Sequence, residues 1–146
     1  MTMGMTKIAI ASDHAGFELK ETLKAHLQKA GYAVHDFGTD SEAPVDYPDY
    51  IRPAALSVAE RESDFGIVLG GSGNGEAMAA NKIRGVRCAL CWNDLSARLA
   101  KEHNDANMIS IGARLVNKKQ AINIVDTWLN AKFAYGRHVN RIAKLE

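Results

Sequence analysis

Glu76 stands directly after a run of small residues, Gly70-Gly71-Ser72-Gly73-Asn74-Gly75, and the chemistry this sequence offers begins there. Such a run lets backbone N–H groups approach a ligand closely, and it feeds a helix N-terminus; both features favour negative charge. It is not placed as a dinucleotide fingerprint, which follows the first strand, and no Gly-Lys-Ser/Thr ends it as in a Walker loop. A tight strand-to-helix connection without a ligand is the plainer alternative for the glycines alone. The carboxylate changes the balance. In the first turn of a helix the dipole is expected to lower the pKa of Glu76 and keep it ionised. An ionised carboxylate beside donors that can hold an oxyanion is the equipment for removing a proton α to a carbonyl.

Other ionisable residues follow apolar runs elsewhere in the chain. Asp13 and His14 come after the first run, Asp46 and Tyr47 after the second, Asp94 after the fourth and Arg114 after the fifth, while His103 and Asn104 end a helix. Singly, Asp13 and Asp94 suit helix caps, the histidines suit ordinary loops, and Arg114 suits a surface ion pair. Their expected convergence on one edge of a sheet is harder to explain by caps alone. Near the C-terminus, Arg137 and Arg141 are four apart and share a face if helical. With Arg114 they would suit a phosphate dianion, although the pattern in isolation fits a solvated basic helix end. Cys88 and Cys91 spell C-x-x-C, but no second ligand pair follows at zinc spacing, and on a strand residues three apart face opposite sides. Two buried thiols in a reducing, cytoplasmic setting are expected.

The elements that must carry these residues are legible as alternating apolar runs and amphipathic stretches. Strands are expected at Lys7–Ala11, Ala33–Phe37, Phe65–Leu69, Arg87–Cys91 and Met108–Ile111. Helices are expected at Phe17–Lys29, about Tyr50–Glu60, Glu76–Lys82, Leu95 to about Glu102 with Asp94 as cap, Lys118–Leu129, and about 139–146. Strands apolar on both faces and separated by helices imply an α/β fold: a three-layer, Rossmann-like, doubly wound sheet of five parallel strands. The 146 residues fit a single domain, with residues 1–6 as a disordered leader. A formal net charge of +1 argues against an extended nucleic-acid surface, and no apolar run reaches the length of a membrane span.

Five stretches carry a resemblance: "ASDHAGFELK" (Ala11–Lys20), "DYPDY" (Asp46–Tyr50), "GGSGNGEAMAANK" (Gly70–Lys82), "KEHNDANMISIGAR" (Lys101–Arg114) and "GRHVNR" (Gly136–Arg141). Through them the chain resembles the ribose/galactose isomerase (RpiB/LacAB) family over Lys7 to Arg141. The resemblance implies interconversion of ribose 5-phosphate and ribulose 5-phosphate through an enediolate, without a metal or other cofactor. Another sugar phosphate (galactose 6-phosphate, allose 6-phosphate or a tetrose 4-phosphate) is the alternative on the same scaffold, and a non-catalytic phosphosugar-binding module is a third. It further implies a homodimer with shared active sites, with a tetramer as an option.

By the same resemblance, Asp13 and His14 contact the sugar and its phosphate end, and Tyr47 lines the pocket. Gly71, Ser72, Gly73, Asn74 and Gly75 hold the enediolate. His103 assists furanose opening beside Asn104, and Arg114, Arg137 and Arg141 bind phosphate. Many members carry a cysteine base where this sequence has Gly70; a second branch places a glutamate just after the glycine loop, which is the position of Glu76. Glu76 is therefore the expected base.

Overall fold

The computed structural model describes residues 5–146. Along the chain come β1 (Lys7–Ser12), α1 (Phe17–Lys29), β2 (Ala33–Asp36), α2 (Pro48–Ala59), β3 (Phe65–Gly70) and α3 (Asn74–Asn81). They are followed by β4 (Cys88–Leu90), α4 (Asp94–Asn104), β5 (Met108–Gly112), α5 (Lys118–Asn130) and α6 (His138–Ala143). The five strands form one parallel sheet in the order β2-β1-β3-β5-β4. Of the expected leader, residues 1–4 lie outside the described residues. Thr6 is already tied to the sheet, its carbonyl accepting the Ala33 N–H at 3.0 Å.

Alternation along the strands divides the core between two layers. Ile8 and Ile10 join Leu19, Leu23 and Leu27 of α1 and Ile124 and Trp128 of α5 on one face. Ala9 and Ala11 join Ile51, Ala54 and Val58 of α2 and Ala80 of α3 on the other. Cys88 and Cys91 fall on opposite faces, both buried and unpaired with each other, as residues three apart on a strand must. Burial pushes both thiols up, Cys91 to about 12, so neither is a ready nucleophile. Among the described residues no helix is long and apolar enough to cross a membrane.

Where boundaries differ from expectation, local chemistry explains the difference. α3 begins at Asn74 rather than Glu76, because Gly73, with φ 83°, takes the left-handed turn that starts it. The cap of α4 is Asn93, not Asp94: Asn93 Oδ1 accepts the Ser96 N–H at 2.8 Å while Ser96 Oγ accepts the Asn93 N–H at 3.1 Å. α2 starts at Pro48, a residue whose fixed φ suits a first turn. β4 keeps only three residues at the sheet edge, and α6 stops at Ala143 instead of continuing to the end.

This strand order puts the switch point of the doubly wound sheet between β1 and β3, where ligands bind at the carboxyl ends of strands. The two strands approach closely there. Asp13 N–H donates to the Leu69 carbonyl at 3.2 Å, and a Cβ on Gly16 would lie 2.8 Å from Leu69.

Candidate active site

At the end of β1, Asp13 Oδ1 accepts the Gly16 N–H at 3.0 Å, closing the loop before α1 instead of capping the helix itself. His14 Nδ1 accepts the Val45 N–H at 3.1 Å, which leaves the proton of a neutral ring on Nε2. That bond also draws the segment carrying Tyr47 toward β1. The Tyr47 ring rests on the glycine loop: a Cβ on Gly75 would lie 2.7 Å from its hydroxyl oxygen.

The loop between β3 and α3 is fastened through its carbonyls. Gly70 O accepts Ala113 N–H at 2.7 Å, Gly71 O accepts Arg114 N–H at 3.0 Å, and Gly73 O accepts the Ser110 hydroxyl at 2.7 Å. Ser72 Oγ accepts the Asn74 N–H at 3.2 Å, and Ser72 itself is exposed. The Arg114 guanidinium lies against the same loop, with Nη1 3.0 Å from where a Cβ on Gly71 would be.

Glu76 projects from the first turn of α3 into the end of β3 and is 4% exposed. Its carboxylate fills the space beside Gly70: a Cβ there would lie 2.2 Å from the Glu76 carboxyl carbon and from both its oxygens. The expected lowering of its pKa is not what the structure gives. Burial raises it above the usual carboxylate value and the charge of Asp13 adds to the rise, while the N–H groups of Glu76 and Gly73 pull the other way. Loss of water therefore outweighs the N–H groups of the turn. The change suits a shuttle, because a base with a raised pKa can hold the proton it takes until it gives it back.

His103 and Asn104 do not join this group within one chain. In a parallel sheet each helix returns the chain to the amino ends of the strands. α4 starts beside the carboxyl end of β4, runs back for 11 residues, and delivers His103 about 14 Å from its start, near the start of β5. The expected convergence of all these residues on one sheet edge is thus corrected: His103 and Asn104 lie at the opposite edge. There they meet the C-terminal segment. Ala134 N–H donates to Glu102 O at 2.9 Å, and His138, buried in α6, stacks on His103 with ring centroids 4.4 Å apart and planes 17° from parallel. Arg137 caps α6 and Arg141 sits in its last turn, both exposed. Burial lowers the His138 pKa, and the positive charge of His103, Arg137 and Arg141 lowers it further.

One chain therefore carries two separate groups of candidate site residues, each about half of the expected set. Asp13, His14, Tyr47, the glycine loop, Glu76 and Arg114 gather at the carboxyl ends of the strands. His103, Asn104, Arg137 and Arg141 gather at the amino ends. His138, whose part the sequence leaves open, is the stacking partner of His103. Among the described residues no group of three or more His, Cys, Asp or Glu side chains is arranged to hold a metal ion.

The Ribose/Galactose Isomerase family model matches residues 8–145. The chain is 45% identical over 138 residues to ribose-5-phosphate isomerase B of Escherichia coli, covering 94% of this chain and 93% of that protein. The crystal structure of a ribose 5-phosphate isomerase RpiB from Thermotoga maritima matches with a TM-score of 0.94 at 50% identity, covering 97% of this chain and 98% of that one. The structure of ribose-5-phosphate isomerase B from Mycoplasma genitalium with bound ribulose-5-phosphate matches with a TM-score of 0.93 at 40% identity, covering 97% and 95%.

Proposed function

Because the chain belongs to the ribose/galactose isomerase family, we propose that it interconverts ribose 5-phosphate and ribulose 5-phosphate by proton transfer between C2 and C1. The observation that carries this is the Glu76 carboxylate, buried with a raised pKa in the space beside Gly70 and directly behind the glycine loop.

In the forward direction the substrate phosphate docks on Arg137 and Arg141, with Arg114 and His14 at the same end. His103, with Asp13, moves the protons needed to open the furanose, and Asn104 and Tyr47 hold the open chain. Glu76 then takes the proton from C2. The electron pair left behind makes an enediolate, whose oxygens are held by the Gly71–Gly75 loop and by the Ser72 hydroxyl. A hydroxyl proton passes from O2 to O1, Glu76 returns its proton to C1, and the ketose is formed. Every atom is conserved and no electron leaves the substrate, so the reaction needs no cofactor.

The two half-sites belong to one reaction only if two copies of the chain combine. We assign the Glu76 half of each site to one subunit and the His103–Arg141 half to the other, in a homodimer with two shared sites. The placement of the two groups at opposite ends of the parallel strands supports this. Buried thiols and a near-neutral surface fit a cytoplasmic location.

A coupled assay on ribose 5-phosphate, run beside galactose 6-phosphate, allose 6-phosphate and a tetrose 4-phosphate, tests the proposal. The highest kcat/KM is expected on the pentose. A preference for one of the others would reassign the substrate, and no turnover on any would leave a phosphosugar-binding module.

A further inference from the structure

We infer that Arg87 is a positioning residue that holds the His103–Asn104 half of the site together, a conclusion that rests on the isomerase function proposed above. Arg87 directly precedes β4, and its backbone is locked into the sheet. Its N–H donates to Asn107 Oδ1 at 2.8 Å, its carbonyl accepts Met108 N–H at 3.2 Å, and Asn107 Nδ2 donates in turn to Gly85 O at 2.8 Å. From this fixed base the side chain reaches across to the end of α4.

What it meets there is a helix terminus in need of donors. α4 stops abruptly as Asp105 turns left-handed, with φ 44°, and the last carbonyls of a helix have no partner within it. Arg87 Nε donates to Asn104 O and Nη2 to Asp105 O, both at 2.9 Å, and the cation sits where the helix dipole is negative. The third arm, Nη1, donates to the carboxylate of Glu146, in the segment that follows α6. One guanidinium thus joins the turn carrying His103 and Asn104 to the chain that carries Arg137, His138 and Arg141. The side chain is only 20% exposed, and its planar fork meets three acceptors at once. An ammonium group at the end of a lysine has no such fork.

If Arg87 places this half-site, its loss should damage ring opening and spare the chemistry of Glu76. Ribulose 5-phosphate separates the two, because its C5 oxygen carries the phosphate and cannot close a furanose. Exchange of its C1 hydrogen with D2O therefore reports proton transfer without ring opening. For Arg87→Met, kcat from ribose 5-phosphate is expected to fall at least about tenfold, while exchange at saturating ribulose 5-phosphate stays within about twofold of wild type. Arg87→Lys should lose less in the same pattern, and Glu146→Gln, which weakens one arm, less again. Turnover within about twofold of wild type in both Arg87 variants would overturn the inference. So would a parallel fall of turnover and exchange, the signature of general unfolding. Should Arg87→Met not fold, the Arg87→Lys and Glu146→Gln pair decides on the same two readouts. A wild-type protein inactive on ribose 5-phosphate would overturn the function itself, and that failure appears in the wild-type arm alone.

Discussion

As the proposed base, Glu76 would have to be ionised to take a proton from C2, yet its surroundings favour the protonated form. The acid limb of kcat/KM is therefore expected above the ordinary carboxylate value of 4.5, and Asp13→Asn, by removing a negative neighbour, should move that limb to lower pH. A pH–rate profile of the two proteins checks this. Glu76→Gln should lower turnover by about a thousandfold or more while inorganic phosphate still binds, as turnover assays and calorimetry would show. The same substitution has a stability consequence. With a raised pKa the folded state binds more protons than the unfolded chain, so the contribution of Glu76 is fullest below pH 4.5 and is lost as pH rises through the raised value. Glu76→Gln should accordingly melt higher than wild type at pH 7, with the advantage gone below pH 4.5. Residue type and helix position identified Glu76 in the sequence. Its pKa could not be read there, because burial depends on how β3, Gly70 and α3 close around it.

The first half-site also depends on how α1, β1 and β2 are joined. Lys20 of α1 is fully buried, and its Nζ donates to Asp36 Oδ2 at 2.7 Å; Lys24 donates to the same oxygen at 3.1 Å. Asp36 Oδ1 accepts the Gly38 N–H at 2.9 Å, Gly38 O accepts Ser12 N–H at 2.7 Å, and Thr39 N–H donates to Ser12 O at 2.8 Å. The chain just before Asp13 is thus braced by an ion pair between a helix and a strand. Asp36→Asn would leave Lys20 buried with only Glu21, 3.0 Å away, and is expected to cost on the order of 2–3 kcal/mol, measured by urea denaturation. Burial opposes ionisation of Asp36, but Lys20, the Gly38 N–H and Lys24 together hold its carboxyl below the usual value. The stabilisation is therefore present above pH 3.8 and lost as pH falls through the lowered value, so the mutant and wild-type stabilities should converge in acid. Apolar periodicity made all five strands and the helices legible. The Lys20–Asp36 brace was not, since a lysine on an otherwise leucine-lined helix face reads as solvent-exposed until the partner strand is placed. The ends of elements were missed for a similar reason: the α4 cap is a reciprocal Asn93–Ser96 pair, which a preference for aspartate does not reveal.

At the scale of the whole molecule, the winding that puts five strand ends on one edge puts five helix ends on the other. Reading polar residues after each element as one cluster ignored that alternation, which is why His103 was expected beside Glu76. In the homodimer proposed above, two copies related by a twofold axis would restore the meeting. If they do, Glu76→Gln and His103→Asn homodimers each lack one half of both sites, whereas a mixed dimer retains one complete site. Mixing the two inactive proteins under conditions that exchange subunits is expected to recover about a quarter of wild-type turnover, since half the dimers are mixed and each has one working site of two. Absence of recovery, with exchange verified by mass spectrometry, would place the whole site within one chain.

The contact between Gly70 and Glu76 bears on how such a protein can change over time. A thiol base at position 70 and a carboxylate base at position 76 claim the same volume. Gly70→Cys alone would set a side chain against the Glu76 carboxylate, which would have to swing aside, and Glu76→Ala alone would remove the proposed base. Either single step would thus displace or remove the proposed base, so the two positions are expected to change together. Two neighbouring positions in the fold would thus be inherited as a single character.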